Sequence, residues 1–310
     1  MKVKILVDAH VFDYSYQGTS TYIEGLYKEM SKDEHFQITL CAVDVDHLKD
    51  VFQGYCFEYL QLKSKSSVFR LAIEIPRIIA KYQFDYAHFQ YVIPLVKRCK
   101  YIVTVHDLLF LDYPGYFPWH YRLKNYLLFR YAIKKSEVVL TVSNYSKNRI
   151  EQHFGSHLSV SVTPNAVETI ELNANTGFQY NSKREKWVLC VSRFENRKNQ
   201  IGLYRSFKRL NLSRFGYKLV FVGHKSTGID KSSFDLFMSQ IDNNDLEYII
   251  FHERISKQDL KELYSRVEVF VYPSFAEGFG VPPIEAALYG CKVMCSNLTA
   301  MSDFSFFRKQ

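Results

Sequence analysis

The stretch Val267-Glu-Val-Phe-Val-Tyr272-Pro-Ser-Phe-Ala-Glu277-Gly-Phe-Gly-Val-Pro-Pro-Ile-Glu285-Ala-Ala-Leu-Tyr-Gly290 lies near the end of this 310-residue chain. Its first six residues have the β-branched and aromatic character of a strand. The residues from Ile284 to Gly290 are typical of a short helix that stops at glycine. The order is therefore strand, glycine loop, helix, with Pro282 or Pro283 expected in the first helical turn, where a missing N–H costs nothing.

Two carboxylates and two glycines make this stretch a candidate ligand site. Gly278 and Gly280 let the backbone approach a ligand closely, and free N–H groups at a helix start attract anions such as phosphate. Glu277 lies in the loop and Glu285 in the first helical turn, where both suit recognition of hydroxyl groups beside a bound phosphate. A second interpretation of Glu285, complementation of the helix dipole, remains open.

Composition indicates a globular protein long enough for two domains. The chain is 47% hydrophobic and 23% charged, and it has no apolar run long enough to span a bilayer. Its N-terminus lacks the layout of a secretory signal, so we expect a cytoplasmic protein. The six cysteines form no C-x-x-C pair, which favours buried, reduced thiols over disulfides or a metal site.

The formal charge of +8 points to anionic partners. Nucleic acid, anionic lipid and phosphorylated ligands all fit that charge. The basic residues are spread out and no nucleic-acid motif occurs, so we expect no nucleic-acid partner. A solvated basic surface explains the charge equally well.

Predicted strands alternate with predicted helices along both halves, which favours an α/β fold of two doubly wound domains. We expect a first domain at 1–167, a polar linker at 168–186 and a second domain at 187–310. Ligands would bind in a cleft between the two facing domains.

Three local features of the first half carry specific expectations. The first strand leads into a polar loop, Asp13–Thr21, whose Gly18 is a possible anion site ahead of a helix at Tyr22–Met30. Asp44-Val-Asp46 is interpreted as a loop with two solvated acids rather than a metal site. A helix over 68–82 is predicted to kink or break at Pro76.

His106 and Asp107 follow a clear buried strand, Tyr101–Val105. Ligands of open α/β sheets bind at the carboxyl ends of the strands, so His106 is well placed for chemistry. Hydrogen bonding of His106 to a loop carbonyl is an equally good interpretation of the spacing.

A long helix rich in aromatic and basic residues is predicted over Trp119–Lys135. Trp119, Leu123, Leu127 and Tyr131 share one face of it. Such a face could lie on an anionic membrane. We favour the interpretation that this apolar face points to the core and the basic residues are exposed.

The loop after the predicted strand Trp187–Val191 carries Arg193, Arg197 and Lys198. A cationic loop at the end of a strand can neutralise a diphosphate. Together with the helix start at Gly278–Pro283 it would form a nucleotide diphosphate site. The alternative for Arg193 and Lys198 is an ordinary solvated turn.

The two glutamates, eight residues apart around Gly-Phe-Gly-x-Pro, resemble the E-x7-E signature of retaining glycosyltransferases of family 4, the group 1 enzymes with the GT-B fold. Further segments are similar to that family and occur in the same order, so that the resemblance covers nearly the whole chain. They are Gly18-Thr-Ser-Thr-Tyr22, Val105-His-Asp-Leu108, Thr141-Val-Ser-Asn144, Thr163-Pro-Asn-Ala166, Val191-Ser-Arg-Phe-Glu-Asn-Arg-Lys-Asn199 and Val271-Tyr-Pro-Ser-Phe-Ala-Glu-Gly-Phe-Gly280.

The resemblance implies transfer of a sugar from a nucleoside diphosphate sugar to an acceptor hydroxyl, with retention and without a metal or other cofactor. Acceptors in the family are glycans or lipid-linked molecules in polysaccharide, lipopolysaccharide and glycolipid synthesis, at the inner face of a membrane. The implied roles, by residue number here, are as follows: Arg193 and Lys198 bind the diphosphate, Glu285 the ribose, Glu277 and His106 the donor sugar, and Gly18 closes on the diphosphate, while Gly278, Phe279, Gly280 and Val281 complete the donor-binding loop.

Two departures from the family pattern carry expectations of their own. After Ser296–Met301 the family continues Pro-Glu-Val, whereas this chain reads Ser302-Asp-Phe-Ser-Phe-Phe-Arg-Lys-Gln310, and His252-Glu253 stands where a glycine is common. We therefore expect a truncated second domain and lowered stability or activity. The alternative function is a non-catalytic nucleotide-sugar-binding or partner-binding remnant of the family.

Overall fold

The computed structural model describes residues 2–13, 18–167, 184–225 and 232–304. They divide into two compact units, Met1–Asp112 with Trp119–Ala166 and Tyr113–Pro118 with Val167–Gln310. Residues 168–183 of the expected linker lie outside the described residues, as do residues 305–310. The first strand of the second unit begins at Glu185, inside the expected linker.

The first unit is built on a seven-stranded parallel sheet in the order β3-β2-β1-β4-β5-β6-β7. Helices cover a parallel sheet on both faces, so its strands are continuous apolar runs; Ile5, Leu6 and Val7 are all buried. The strands are β1 Val3–Asp8, β2 Phe36–Ala42, β3 Glu58–Gln61, β4 Tyr86–Gln90, β5 Lys100–Thr104, β6 Val138–Thr141 and β7 Val160–Val162. The helices are α1 Gly18–Met30, α2 Val45–Val51, α3 Ser67–Phe69, α4 Ile75–Tyr82, α5 Leu109–Asp112, α6 Trp119–Lys135 and α7 Asn144–Phe154.

The second unit is built on a five-stranded parallel sheet in the order β10-β9-β8-β11-β12. One core cluster includes Leu189 and Phe270, and a second includes Cys190 and Phe221. The strands are β8 Glu185–Val191, β9 Lys218–Val222, β10 Ile249–His252, β11 Val267–Tyr272 and β12 Lys292–Cys295. The helices are α8 Gln200–Arg209, α9 Ser233–Met238, α10 Lys257–Arg266 and α11 Val281–Leu288. The predicted doubly wound α/β architecture is confirmed.

Each sheet has one point where the strand order reverses, between β1 and β4 in the first unit and between β8 and β11 in the second. Ligands of doubly wound folds bind outside the carboxyl ends of the strands at such a point. In the second unit, that point joins the end of β8 at Val191 to the end of β11 at Tyr272. The sheet order therefore brings the cationic loop and the Glu277 loop to one edge.

One local prediction in the first unit was wrong and a second was right only in part. The helix predicted from Tyr22 begins at Gly18, so Gly18 is part of the first turn of α1 and not of a loop. Asp44 and Asp46 are exposed, as expected, but they do not form a plain loop. Asp44 caps α2 by accepting a hydrogen bond from the His47 N–H at 3.0 Å, and Asp46 lies in the first turn of α2. A short polar residue directly before a helical run is a preferred cap, a signal that the interpretation overlooked.

The irregularity expected at Pro76 is present but takes a specific form. A π-helical turn at Arg70–Glu74 joins α3 to α4, and Pro76 lies in the first turn of α4. A proline lacks the N–H that a continuous α-helix would use. The wider turn ahead of it absorbs that mismatch without separating the two helical segments.

The expectation that the apolar face of α6 points to the core was wrong. Trp119 is 73% exposed, and Leu123 and Leu127 are also exposed. The buried contacts of α6 come instead from Phe129, Ala132 and Ile133 in its second half. Spacing by four places residues on a common face, but it does not say which face the sheet covers.

All six cysteines are free thiols, as expected, but only Cys41, Cys190 and Cys291 are fully buried. Within the described ranges, no helix combines the length and apolar character that crossing a membrane would require.

Candidate functional site

A buried ion cluster lies at the switch point of the second unit. The Lys198 ammonium contacts Glu277 Oε1 at 2.5 Å, and Arg197 Nη1 contacts Glu277 Oε2 at 3.2 Å. Arg197 also reaches Glu195 at 2.7 Å, and Arg193 reaches the other oxygen of Glu195 at 2.9 Å. We call these five residues the ion cluster.

Local backbone structure holds the ion cluster together. Asn196–Lys198 forms a 3-10 turn directly after β8, and the Arg197 carbonyl accepts a hydrogen bond from the Phe275 N–H at 2.8 Å. This bond joins the loop after β8 to the loop after β11. Gly223 packs behind, because a side-chain carbon there would come within 2.0 Å of the Ser192 carbonyl oxygen.

Glu277, one of the two acidic residues of the cluster, is held ionised. Burial by itself raises the pKa of Glu277, but the positive charges of Lys198 and Arg197 outweigh burial and lower that pKa to about 2. Burial and the nearby Arg197 charge lower the pKa of Lys198, against the opposing effect of Glu277 and Glu195. Burial is the larger cause for Lys198, whereas for Glu277 the two neighbouring cations decide the direction of the shift.

The three basic residues of the loop differ in exposure and role. The structure brings Lys198 and Glu277 together, as a shared site requires. Arg193, expected to pair with Lys198 on a diphosphate, has a side chain that is 58% exposed and is held by Glu195. Arg197 is the arginine that reaches Glu277, and it also donates to the Ala276 carbonyl at 2.7 Å. Arg193 therefore extends from the cluster toward solvent while Arg197 supports it.

The glycine loop and the start of α11 complete the arrangement. Gly280 adopts φ 103° at the N-cap, and a side chain there would press against Met301 at 3.1 Å. Val281 begins α11, and the Phe279 ring packs edge-on against Phe304 at 5.7 Å. Gly278 lies half-buried between Glu277 and this turn. The predicted order of strand, glycine loop and proline-containing first turn is confirmed.

Glu285 lies on α11, as predicted, but in the second turn rather than the first, and it accepts a hydrogen bond from the Tyr264 hydroxyl at 3.1 Å. Tyr264 belongs to α10. The contact fixes the carboxylate against the neighbouring helix and leaves it half-buried.

The first unit holds the other two predicted site residues. His106 follows β5 and is buried, and its Nε2 lies 2.7 Å from Gln90 Oε1. Burial, with a smaller effect of His88, lowers the pKa of His106 to about 3, so the ring is neutral at physiological pH. The loop-carbonyl partner considered for His106 is not what its ring contacts. Gly18, in the first turn of α1, has open space around its α-carbon.

Several residues that support these groups were not predicted from the sequence. Tyr272 accepts a hydrogen bond from Lys198 at 3.1 Å, and Thr299, with φ 53°, accepts one from the Glu277 N–H at 2.9 Å. The Tyr22 ring stands edge-on to His106 at 5.0 Å. Glu195 lies within the basic loop and could have been found by its charge, whereas Thr299 has no local signal.

Comparison with known proteins identifies the chain. A model described as Glycosyltransferase Family 4 matches residues 16–171, half of the chain. The chain belongs to this glycosyltransferase family. A second model, Glycosyl transferases group 1, matches residues 175–304 of the same family 4 chain. The predicted family is therefore confirmed.

Curated relatives of this family 4 chain include mannosyltransferases. O-antigen chain mannosyltransferase B of Escherichia coli is 26% identical over 214 residues, which cover 65% of this chain and 54% of the relative. O-antigen chain mannosyltransferase RfbU of Salmonella typhimurium is 28% identical over 211 residues, covering 67% of this chain and 54% of the relative. The chain spans about half the length of the curated relatives it matches.

A solved structure with the same fold is sucrose-phosphate synthase from Thermosynechococcus elongatus. It is 16% identical with a TM-score of 0.72, and the match covers 98% of this chain and 83% of the other. Together with the two parallel sheets, this likeness confirms the GT-B fold for the family 4 chain.

Proposed function

We propose that the chain transfers a hexosyl group from a nucleoside diphosphate sugar to an acceptor hydroxyl, with retention of the anomeric configuration. The observation that carries this proposal is the surplus charge of the ion cluster. Arg193, Arg197 and Lys198 face Glu195 and Glu277, so three cations meet two carboxylates and a formal charge of +1 remains. A diphosphate bound at the switch point would offset that charge.

The chemistry proposed for the cluster is stabilisation of the leaving group. As the bond from the sugar to the diphosphate breaks, negative charge grows on the phosphate oxygens, and fixed cations in a water-poor site lower the barrier for that step. Lys198 is placed for this role because it is buried and already oriented by Glu277 and Tyr272. Arg193 would close on the outer phosphate oxygens.

The remaining predicted residues take roles around the donor. Glu277 accepts hydrogen bonds from hydroxyls of the donor sugar, and Glu285 from the ribose. The backbone of Gly278, Phe279, Gly280 and Val281 lies against the diphosphate at the start of α11, and Gly18 closes on it. His106 binds a hydroxyl of the donor sugar. No metal ion or other cofactor takes part in this proposal.

We propose a glycan or lipid-linked acceptor in O-antigen or related polysaccharide synthesis. The two O-antigen mannosyltransferases among the relatives support this class. A mannosyl donor is the first to test for the same reason.

The donor is tested by thermal melting in the presence of UDP-, GDP-, ADP- and dTDP-sugars. We expect one nucleotide to raise the free energy of unfolding by about 2.7 kcal/mol at a hundred times its Kd. Arg193→Met should raise that Kd roughly tenfold, as expected for loss of one strong phosphate contact, with an unchanged melting temperature for the free protein. Lys208→Met, an exposed lysine paired with Asp242, is the matched control.

Three outcomes of this experiment are decisive. Stabilisation by one nucleotide sugar together with turnover to a product of the same anomeric configuration supports the proposal. Binding without turnover of any sugar would mean a non-catalytic binding protein. Equal stabilisation by every nucleotide and by inorganic pyrophosphate would reduce the cluster to a general anion site.

We also propose that α6 attaches the chain to an anionic membrane surface, at the cytoplasmic face of a bacterial inner membrane. The helix contains five Lys or Arg residues and no Asp or Glu. Trp119, Leu123 and Leu127 are exposed. Tyr131 lies on the same face of the helix and donates a hydrogen bond to the Leu95 carbonyl at 3.0 Å. Leu95 and the adjacent Val96 are exposed as well, which extends the apolar surface beyond the helix.

Charge and apolar surface fit one occupant, an anionic bilayer. Basic residues near such a surface each contribute about 1 kcal/mol, and apolar side chains enter the headgroup boundary. A lipid-linked acceptor would lie in the same membrane.

Sedimentation with vesicles tests this attachment. The chain should bind vesicles with 30% phosphatidylglycerol in phosphatidylcholine and leave pure phosphatidylcholine vesicles unbound. Leu123→Glu with Leu127→Glu should lower binding at least tenfold, because two apolar contacts worth about 1.5–3 kcal/mol each are lost. The control is Leu210→Glu, an equally exposed leucine of the second unit. Equal binding by both variants would overturn the assignment of α6.

A further inference from the structure

A layer of buried polar side chains lies in the first unit where a doubly wound fold normally has apolar ones. His88 and Gln90 of β4 and Thr104 of β5 are at most 6% exposed, and so are Tyr22 and Tyr27 of α1. Burying a polar group is costly unless it is hydrogen-bonded. Each of these side chains therefore needs a hydrogen-bond partner within the layer.

The network runs from α1 to His106. The Tyr27 hydroxyl lies 2.6 Å from His88 Nδ1, and Thr104 Oγ1 lies 2.8 Å from His88 Nε2. Gln90 Nε2 lies 3.3 Å from the same His88 Nε2, while Gln90 Oε1 lies 2.7 Å from His106 Nε2. Gln90 therefore lies within hydrogen-bond distance of both buried histidines.

The chemistry of the Gln90 amide fixes the proton on each ring. An amide oxygen only accepts, so His106 must carry its proton on Nε2; an amide nitrogen only donates, so His88 Nε2 must be bare. His88 then carries its proton on Nδ1, and this N–H donates a hydrogen bond to the Tyr27 hydroxyl oxygen. Both rings are neutral, which leaves Nδ1 of His106 as a hydrogen-bond acceptor.

We infer that Gln90 is a positioning residue that locks His106 in the Nε2–H tautomer, so that Nδ1 accepts a hydrogen bond from a hydroxyl of the bound sugar. Among the described residues, Nε2 is the ring atom of His106 that takes a protein hydrogen bond. That Nδ1 binds a sugar hydroxyl rests on the proposed function. The tautomer of His106 does not depend on that function.

The test is nitrogen-15 NMR of the whole chain, with long-range proton correlations that distinguish the two tautomers. His106→Asn and His88→Asn identify the two sets of signals. At pH 7 the wild type should show His106 protonated on Nε2 and His88 protonated on Nδ1. Gln90→Leu should shift the His106 nitrogens toward averaged values, because neither tautomer then has a fixed partner.

A conservative variant and a control separate positioning from mere structure. Gln90→Glu keeps an acceptor for the Nε2–H and should preserve the His106 tautomer, with turnover reduced less than in Gln90→Leu. For Gln90→Leu we expect kcat/KM to fall by ten- to a hundredfold. Gln61→Leu makes the same change at an exposed end of β3 and should leave the His106 signals unchanged.

The wild-type spectrum alone can overturn the inference. A reversed amide would place the His106 proton on Nδ1 and the His88 proton on Nε2, and this pattern would refute it without any variant. An unchanged tautomer in Gln90→Leu would also refute it. If the tautomers are as expected but no nucleotide sugar is turned over, the lock stands and the proposed function fails.

Discussion

Lys198→Met is expected to abolish most donor turnover and to destabilise the second unit. The variant removes a cation placed for the leaving phosphate, and loss of one such group costs about a hundred- to a thousandfold in kcat. It also leaves Glu277 buried with Arg197 as its remaining ion-pair partner among the described residues. Breaking a buried ion pair by removing one partner lowers the free energy of unfolding by about 3–5 kcal/mol.

A double-mutant cycle separates these two effects. Glu277→Gln alone leaves the Lys198 ammonium buried, so it too should destabilise. The pair Lys198→Met with Glu277→Gln removes both charges and should recover much of the lost stability, because no unpaired charge remains. Turnover should stay low in the double variant, because it lacks both the Lys198 cation and the Glu277 carboxylate.

Urea unfolding followed by Trp187 fluorescence measures the stability of the second unit, because Trp187 lies on its strand β8. Lys208→Met again serves as the control, since its partner Asp242 is exposed and surface pairs contribute little. Additive stability losses in the double variant would show that Lys198 and Glu277 are not coupled. Full turnover by Lys198→Met would remove the lysine from the proposed mechanism.

In the second unit, the sequence predicted the strands and helices better than it predicted the contacts between side chains. The run Val267–Tyr272 and the start of α11 match the prediction because β-branched residues and two prolines restrict the backbone strongly. The expected parallel sheet correctly placed Lys198 and Glu277 in one site, because the loops after both strands lie at the same edge. That Arg197 rather than Arg193 touches Glu277 did not, because it depends on the 3-10 turn that orients three successive side chains.

The first unit shows a different limit. The i, i+4 spacing of Trp119, Leu123 and Leu127 correctly defined one face of α6, yet that face is exposed. Which face a helix buries depends on the neighbours it meets in the fold. The polar layer was missed for the same reason, since Tyr27 and His88 are 61 residues apart and each is unremarkable in its own segment.

Acid should destabilise the first unit well before it affects the ion cluster. Burial lowers the pKa of both His88 and His106 to about 3, whereas an unfolded histidine titrates near 6.5. Between these values the unfolded chain binds protons that the folded chain does not, so stability falls as pH falls. Each histidine contributes about 1.4 kcal/mol per pH unit, so two reach the order of 5 kcal/mol between pH 6.5 and 4.5.

Glu277 follows a different pH window. Its pKa is depressed from 4.5 to about 2, so its contribution is complete above pH 4.5 and is lost only as pH falls toward 2. Urea unfolding at pH 7, 6 and 5 measures this difference. Circular dichroism follows the whole chain and Trp187 fluorescence follows the second unit. The free energy of unfolding of the first unit should fall while that of the second unit stays the same.

The decisive variant is His88→Gln, which removes one of the two suppressed titrations. Its stability at pH 7 should be lower, because a hydrogen-bonded ring is lost, but the fall in stability per pH unit should be about half that of the wild type. His35→Gln, at an exposed position, should leave the slope unchanged. An equal slope in wild type and His88→Gln would mean that His88 is not kept neutral by the fold. A halved slope would mean that the first unit gives up acid stability to keep its two buried rings uncharged, which is the condition under which Gln90 can fix their tautomers.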